Sequence, residues 1–364
     1  MKKFLIKISY TVLPVWLILV GSVFYVSLYV SPRISGDLGA LACLPFGHEY
    51  DERMAAQAPK DTLFQTIATD EELRTVSVDV LTIGDSFSQQ VCGSYQNYLA
   101  HSGLRVANCS WTLFSSPLQF AYNILEQGIV DSTRVGTLVL ETGERLFEIE
   151  TGNFSPGRPN IPHAPGSGSR NEWSLTRARD MLLYHLGMNS AVYKARLNRE
   201  LFSSDEPSTL YIYHEDISNG LSLSHATESK ARAAQAALRE KAAERGVRLI
   251  WLVPVDKYDL YQDFITDNAF SRKTVMEDIQ RMLGESQDLL LTKDLLLPMV
   301  ASGEKDVYLF NDSHWSYKAT KAVARQLYER IGRKMPASGH ERPFRKNHLT
   351  TGRPSIQASI LSTR

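Results

Sequence analysis

Ser86 stands in the stretch Ile83-Gly84-Asp85-Ser86-Phe87-Ser88, and Asp312-Ser313-His314-Trp315 follows more than two hundred residues later. A serine hydroxyl is a poor nucleophile until a base takes its proton, and that base must be held in one tautomer. Ser86, His314 and Asp312 can supply nucleophile, base and orienting carboxylate. The two-residue Asp-to-His spacing lets a turn fold the carboxylate back onto the imidazole Nδ1–H. Asp85 is a rival carboxylate, but its place beside the nucleophile suits it better to bracing the turn. An oxyanion formed in acyl transfer needs donors. The Ser86 N–H is one, and the loop after the second strand, around Asn108 and Ser110, is the natural source of another. Two unrelated surface turns are the competing reading; against it, both stretches fall at strand-to-helix junctions. Zinc is not expected, since no group of His and Cys has ligand spacing, and no other metal or cofactor is expected.

These residues can meet only if the chain folds them to one edge. The apolar run 78–83 reads as a buried strand closed by a small-residue turn, with Gly84 permitting the bend. Such a turn at the C-terminal edge of a sheet is where open α/β folds place reactive groups. A helix is expected over 89–101, a second strand over 105–108, and a helix from Ser115-Ser116-Pro117 through 127, with serine cap and early proline. A third strand covers 136–140 and runs into Glu141-Thr142-Gly143-Glu144-Arg145. Residues 155–170, rich in Pro, Gly and Ser, read as a long loop, either a rim to the site or a surface insertion. Helical patterns follow over 175–201 and 228–245, then a strand over 247–253, a helix over 274–283, a short last strand over 306–310 and a closing helix over 317–331. Strand alternating with helix at this spacing means a mostly parallel sheet with helices on both faces.

The chain of 364 residues is 43% hydrophobic and 22% charged, enough for a large core. Lys plus Arg and Asp plus Glu are 40 each, so no global field favours nucleic acid, which is excluded as an expected partner. Lys2, Lys3 and Lys7 precede a charge-free run at 12–30 that would span roughly 28 Å as a helix, close to a hydrocarbon core. The lysines place the N-terminus in the cytoplasm and the body outside. A signal-anchor is favoured over a cleaved signal, because bulky Tyr29-Val30 occupies the place of small cleavage-site residues. The organisation expected is an anchor at 1–31, a juxtamembrane connection at 32–75, a catalytic domain at 76–333 and a peripheral tail at 334–364. Cys92 and Cys109 could pair in an oxidising compartment, leaving Cys43 over; buried thiols fit equally well.

Gly84-Asp85-Ser86-Phe87-Ser88 with Asp312-Ser313-His314 resembles the SGNH/GDSL hydrolase superfamily. Its pattern has a Gly after the second strand and an Asn after the third, where this chain has Asn108-Cys109-Ser110 and Glu141 to Arg145. Those departures are similar to the SGNH-like domains of alginate and related polysaccharide O-acetyltransferases, which carry Glu-x-x-Glu-Arg, Pro-x-Lys-x-x-x-Tyr-like and Asp-x-His-Trp elements. Here the second appears as Pro254-Val255-Asp256-Lys257-Tyr258-Asp259-Leu260-Tyr261, with one extra residue before the lysine, and the third as Asp312 to Trp315. In the alginate enzymes Asp-x-His-Trp precedes the serine motif; here it follows, as after circular permutation. The resemblance implies a three-layer SGNH-hydrolase-like sandwich behind one transmembrane helix, in a bacterial inner membrane with a periplasmic catalytic domain. Ser86 would accept an acetyl group from a polytopic membrane acyltransferase and pass it to a polysaccharide hydroxyl. Asp85, Asn108, Ser110, Glu141 and Arg145 would support the site, and Lys257, Tyr258, Tyr261 and Trp315 would meet the substrate. Core packing is the alternative for the aromatics, and loop-holding ion pairs are the alternative for Arg145 and Lys257. A carbohydrate or lipid O-acyl esterase with the same triad is the second reading. A non-catalytic exopolysaccharide assembly protein is the third.

Overall fold

Near-continuous apolar runs, buried on both faces, make the strands of a parallel sheet. The computed structural model describes residues 2–162, 174–188, 191–218 and 220–332. Its strands are β1 (Gln65–Ile67), β2 (Val78–Ile83), β3 (Val106–Cys109), β4 (Val135–Glu141), β5 (Val192–Arg196), β6 (Thr209–Tyr213), β7 (Arg248–Val253) and β8 (Leu289–Leu291). Six form one parallel sheet in the order β1-β3-β2-β4-β7-β8, and β5 and β6 pair as a separate antiparallel hairpin. The helices are α1 (Lys2–Tyr25), α2 (Gly36–Ala42), α3 (Glu49–Ala55), α4 (Asp70–Thr75), α5 (Tyr95–His101), α6 (Pro117–Glu126), α7 (Phe147–Asn153), α8 (Ser174–His185), α9 (His214–Ser218), α10 (His225–Glu244), α11 (Lys257–Tyr261), α12 (Val275–Leu283), α13 (Thr292–Ala301) and α14 (Tyr317–Arg330).

From β2 the chain steps one way to β3 and then back across β2 to β4. Right-handed crossovers in opposite directions put α5 and α6 on opposite faces of the sheet and open a crevice at the C-terminal end of β2. Local signals fix the covering helices. Ser116 Oγ accepts from Gln119 N (3.2 Å) ahead of Pro117, and Ser224 Oγ accepts from Thr227 N (3.2 Å). Along α10, Ala231, Ala234, Leu238 and Ala242 form the buried stripe.

Several expectations change. The helical pattern over 175–201 stops at His185, and Val192–Arg196 is a strand whose partner β6 buries Leu210, Tyr211 and Ile212. Residues 306–310 do not join the sheet, whose last strand is β8. They form one arm of a tight loop closed by Leu309 N to His314 O and Ser316 N to Val307 O, both 3.0 Å, with Asp306 at φ +60°. The helix after Ser86 starts only at Tyr95. No disulfide joins the cysteines: Cys92 Sγ lies 3.3 Å from Thr62 Oγ1, and Cys109 is buried in β3. The stretch 32–75 contains α2, α3, α4 and the sheet strand β1. Residues 163–170 of the long loop and the tail from 334 lie outside the described residues.

At the N-terminus the helical stretch Ile8–Arg33 is α1 continued by a π-helical turn at Val26–Val30 and a 3₁₀ turn at Ser31–Arg33. It contains an 18-residue run of mean hydropathy 2.1 and is long and apolar enough to cross a membrane. Val15, Trp16, Leu17, Ile18 and Leu28 are exposed along it. At its C-terminal end it meets the body, where Gly47 N donates to Arg33 O (2.8 Å) and His48 Nε2 lies 3.0 Å from Pro32 O.

Candidate active site

Strand β2 ends at Ile83 beside Leu140, which brings Gly84 against Glu141. A Cβ on Gly84 would lie 2.3 Å from both Glu141 Oε2 and Ser88 Oγ. Glycine is required by this close approach rather than by an unusual backbone angle. Asp85 then braces the turn from both sides: Oδ1 accepts from Phe87 N (3.0 Å) and Oδ2 from Gly143 N (2.9 Å). Ser86 opens a single 3₁₀ turn and is exposed. Its Oγ lies 2.7 Å from His314 Nε2, and His314 Nδ1 lies 2.5 Å from Asp312 Oδ1. The backbone N–H of His314 also donates to Asp312 Oδ1 (3.0 Å), the folded-back turn that the spacing suggested.

The charges in this group are mutually adjusted. Burial would raise the Asp312 carboxyl, but the charge and hydrogen bonds of His314 bring it well below the usual carboxylate range. Burial would lower His314, yet Asp312 first and Asp37 second lift it above its ordinary value, with Arg145 opposing. The phenyl ring of Phe87 packs edge-on against the imidazole at 4.8 Å between centroids and holds its plane.

Beneath the turn lies a buried polar lattice. Ser88 Oγ donates to Glu141 Oε2 (2.8 Å) and lies 2.9 Å from Tyr95 OH. Burial first, and the charge of Asp85 second, push the Glu141 carboxyl well above its usual range. Asn108 Nδ2 and Gln96 Nε2 both donate to Ser88 O (3.0 Å each), while Thr82 Oγ1 donates to Asn108 Oδ1 (2.7 Å). Asn108 therefore holds the backbone of the serine turn from below. Ser110 caps the turn after β3 with its hydroxyl, and its N–H donates to Ile67 O (2.7 Å), so that N–H is committed away from the serine. Arg145 pairs with buried Asp216 (3.0 Å), and its charge acts on both Asp85 and His314.

The four residues expected to meet substrate are placed otherwise. Lys257, Tyr258, Tyr261 and Trp315 are all buried, none more than 1% exposed. Lys257 Nζ donates to Leu309 O (2.7 Å), Phe310 O (2.9 Å) and Asp312 O (3.0 Å), fastening the loop that carries Asp312 and His314. Burial draws its pKa down to about 7. Tyr258 OH donates to Ser271 O (2.9 Å), Tyr261 OH accepts from Tyr308 N (3.2 Å), and Trp315 stacks edge-on with Phe87 at 4.9 Å. Lys257, Tyr261 and Trp315 fix the loop and the turn from inside, and Tyr258 holds the segment 268–271 instead.

Two groups carried no sequence signal. Lys273, fully buried, joins Asp256 (2.6 Å) and Glu144 (3.8 Å), beside the Asp216 that holds Arg145. The segment Ser35-Gly36-Asp37, far from both motifs in sequence, docks onto Asn311-Asp312-Ser313. A carboxylate in a juxtamembrane stretch looks like solvated charge until tertiary structure brings it to a partner.

No curated protein matches the chain. Residues 206–357 match the family model described as SGNH hydrolase-like domain, acetyltransferase AlgX. This stretch contains Lys257, Asp312 and His314, while the Ser86 turn lies before it. The resemblance read from the motifs holds over those residues: there the chain is similar to the SGNH hydrolase-like domain of AlgX-type acetyltransferases.

Proposed function

We propose that the protein is an extracytoplasmic O-acetyltransferase that moves an acetyl group through a Ser86-linked acyl-enzyme to a polysaccharide hydroxyl. The observation that carries the reading is the Ser86 Oγ to His314 Nε2 contact of 2.7 Å, backed by the Asp312 carboxylate on Nδ1. The similarity to an acetyltransferase domain supports transfer as the outcome. In the first half, His314 Nε2 takes the Ser86 proton as Oγ bonds to the acetyl carbon. The donor's acyl bond then breaks, and His314 returns that proton to the leaving group. In the second half His314 takes a proton from a sugar hydroxyl, the sugar oxygen bonds to the acetyl carbon, and the serine ester breaks with the proton passing to Ser86 Oγ. Asp312 keeps the Nδ1 proton in place throughout. The Ser86 N–H is the group assigned to the developing oxyanion. The helix Ile8–Arg33 serves as the anchor, with a polytopic membrane acyltransferase as donor.

One observation favours the esterase instead: Ser86 is exposed, so water can reach an acyl-enzyme. The fate of the acyl group decides between them. Full-length protein in detergent is incubated with p-nitrophenyl acetate and a panel of anionic and neutral polysaccharides. Transfer predicts acetylated glycan formed faster than free acetate, and Ser86→Ala should abolish both. Acetate as the sole product across the panel would establish the esterase, and full activity in Ser86→Ala would remove both enzyme readings.

A further inference from the structure

We propose that Asp37, carried by the segment that leaves the membrane helix, is a positioning residue for the His314–Asp312 pair. The proposal rests on the triad reading above and extends it to a residue outside both motifs.

The contact is built along three consecutive residues. Asn311 Nδ2 donates to Ser35 Oγ (2.8 Å). Gly36 follows at φ +71°, and a Cβ there would lie 2.1 Å from Asn311 O, so only glycine allows the two backbones to approach this closely. Asp37 then reaches the triad twice. Its backbone N–H donates to Asp312 Oδ2 (3.1 Å), the carboxylate oxygen that His314 does not use. Its side chain accepts from Ser313 N at Oδ1 (2.7 Å) and from the Ser313 hydroxyl at Oδ2. Burial first, and the charge of Asp312 second, push the Asp37 carboxyl above its usual range, while His314 and the two Ser313 donors favour its ionised form. Oδ2 stands 3.6 Å from His314 Nδ1, too far for a hydrogen bond but close for charge.

Asp37 therefore acts in two ways. Through Ser313 and its own N–H it fixes the turn that aims His314 at Ser86. By charge it favours the imidazolium that forms each time His314 takes a proton. The charged groups facing His314 are Asp312 from its own loop, Asp37 from α2 and Arg145 from beyond β4, with the Phe87 ring on one side. Lys257 of α11, bonded to Asp312 O behind the loop, interacts with both Asp37 and Asp312. Removing Asp37 leaves the opposing Arg145 with one carboxylate fewer against it, so the His314 titration should move to lower pH.

The test uses full-length protein in detergent with p-nitrophenyl acetate, following the acylation burst against pH. Asp37→Asn should slow acylation by up to about 10²-fold, the cost of a small misplacement of a reacting group. It should also shift the acid limb downward. Ser313→Ala, which removes one donor and leaves the carboxylate, should slow acylation with little movement of the limb; it stands in should Asp37→Asn fail to fold. The His314 ring titration is followed by NMR in parallel, because it reports on Asp37 even if no acetyl-enzyme forms. An absent burst in the unmutated chain overturns the proposed function, whereas a lowered His314 titration in folded Asp37→Asn still upholds the charge role. A folded Asp37→Asn with unchanged rate and unchanged His314 titration overturns the proposal, as does a Ser313→Ala of unchanged rate.

Discussion

At His314 the local charges set a direction that kinetics can check. The ring must be unprotonated at Nε2 to take the Ser86 proton. Burial pulls its pKa down, but Asp312 and then Asp37 hold it above the ordinary value of 6.5. A base with a raised pKa stays protonated to higher pH, so acylation should rise with pH through a midpoint above 6.5. A burst rate already at its plateau below that pH would contradict the assignment. That Ser86, His314 and Asp312 would meet was readable from sequence because chemistry restricts which side chains can serve and the Asp-to-His spacing restricts how they fold. Lys257, Tyr258, Tyr261 and Trp315 were not, because their types suit both sugar binding and core packing. Only burial separates the two, and burial belongs to the assembled fold. Gly84 was located correctly but for an incomplete reason, since one of the two side chains that demand it, Glu141, lies on another strand.

Among the elements, the central strands β2, β3, β4 and β7 and the helices α6, α10, α12 and α14 were recoverable because apolar periodicity, caps and length agree there. The three-residue edge strands β1 and β8 are too short to carry a pattern and were not read. The errors fall where signals compete. Val192–Arg196 follows a helix whose apolar spacing runs on past it, and only pairing with β6 makes it a strand. Residues 306–310 look like a strand by composition but are bent into a loop that Lys257 and Tyr50 hold, the Tyr50 hydroxyl accepting from Phe310 N (3.1 Å) and donating to Asp306 Oδ1 (3.0 Å). Ionic contacts between elements follow the same logic. Lys273 has no exposed side-chain surface, and its partners Asp256 and Glu144 are equally enclosed. Lys273→Met should therefore destabilise the fold by about 3–5 kcal/mol, because it leaves buried carboxylates without their cation. Arg272 and Asp263 are 62% and 51% exposed, and Arg272→Ala should cost no more than about 1 kcal/mol. Denaturant midpoints of the two variants should differ clearly; equal midpoints would show that the buried cluster does not hold these elements together.

On the scale of the whole molecule, the apolar N-terminal helix and the loop that carries Asp312 and His314 are close neighbours in space although they are far apart in sequence. The apolar helix ends at Arg33, and Asp37 N already bonds Asp312. Four residues of chain reach at most about 14 Å, so with the helix inserted His314 must sit near the membrane surface whatever the tilt of the body. The contacts of Pro32 and Arg33 with His48 and Gly47 shorten that freedom further. Such a placement suits an acyl group delivered by a membrane-embedded donor, and it makes the tether length a functional variable. A flexible Gly/Ser insertion of about a dozen residues between Arg33 and Ile34 leaves the Ser35-Gly36-Asp37 contacts available while releasing the body from the bilayer. The local concentration of the site at the donor should then fall with linker length. Glycan acetylation in cells should drop several-fold, while the acylation burst of the purified protein with a soluble acetyl ester stays unchanged. An unchanged cellular yield would mean that the donor comes to the site from solution. A collapse of the burst would mean instead that the anchor is needed to seat Asp37 on the catalytic loop.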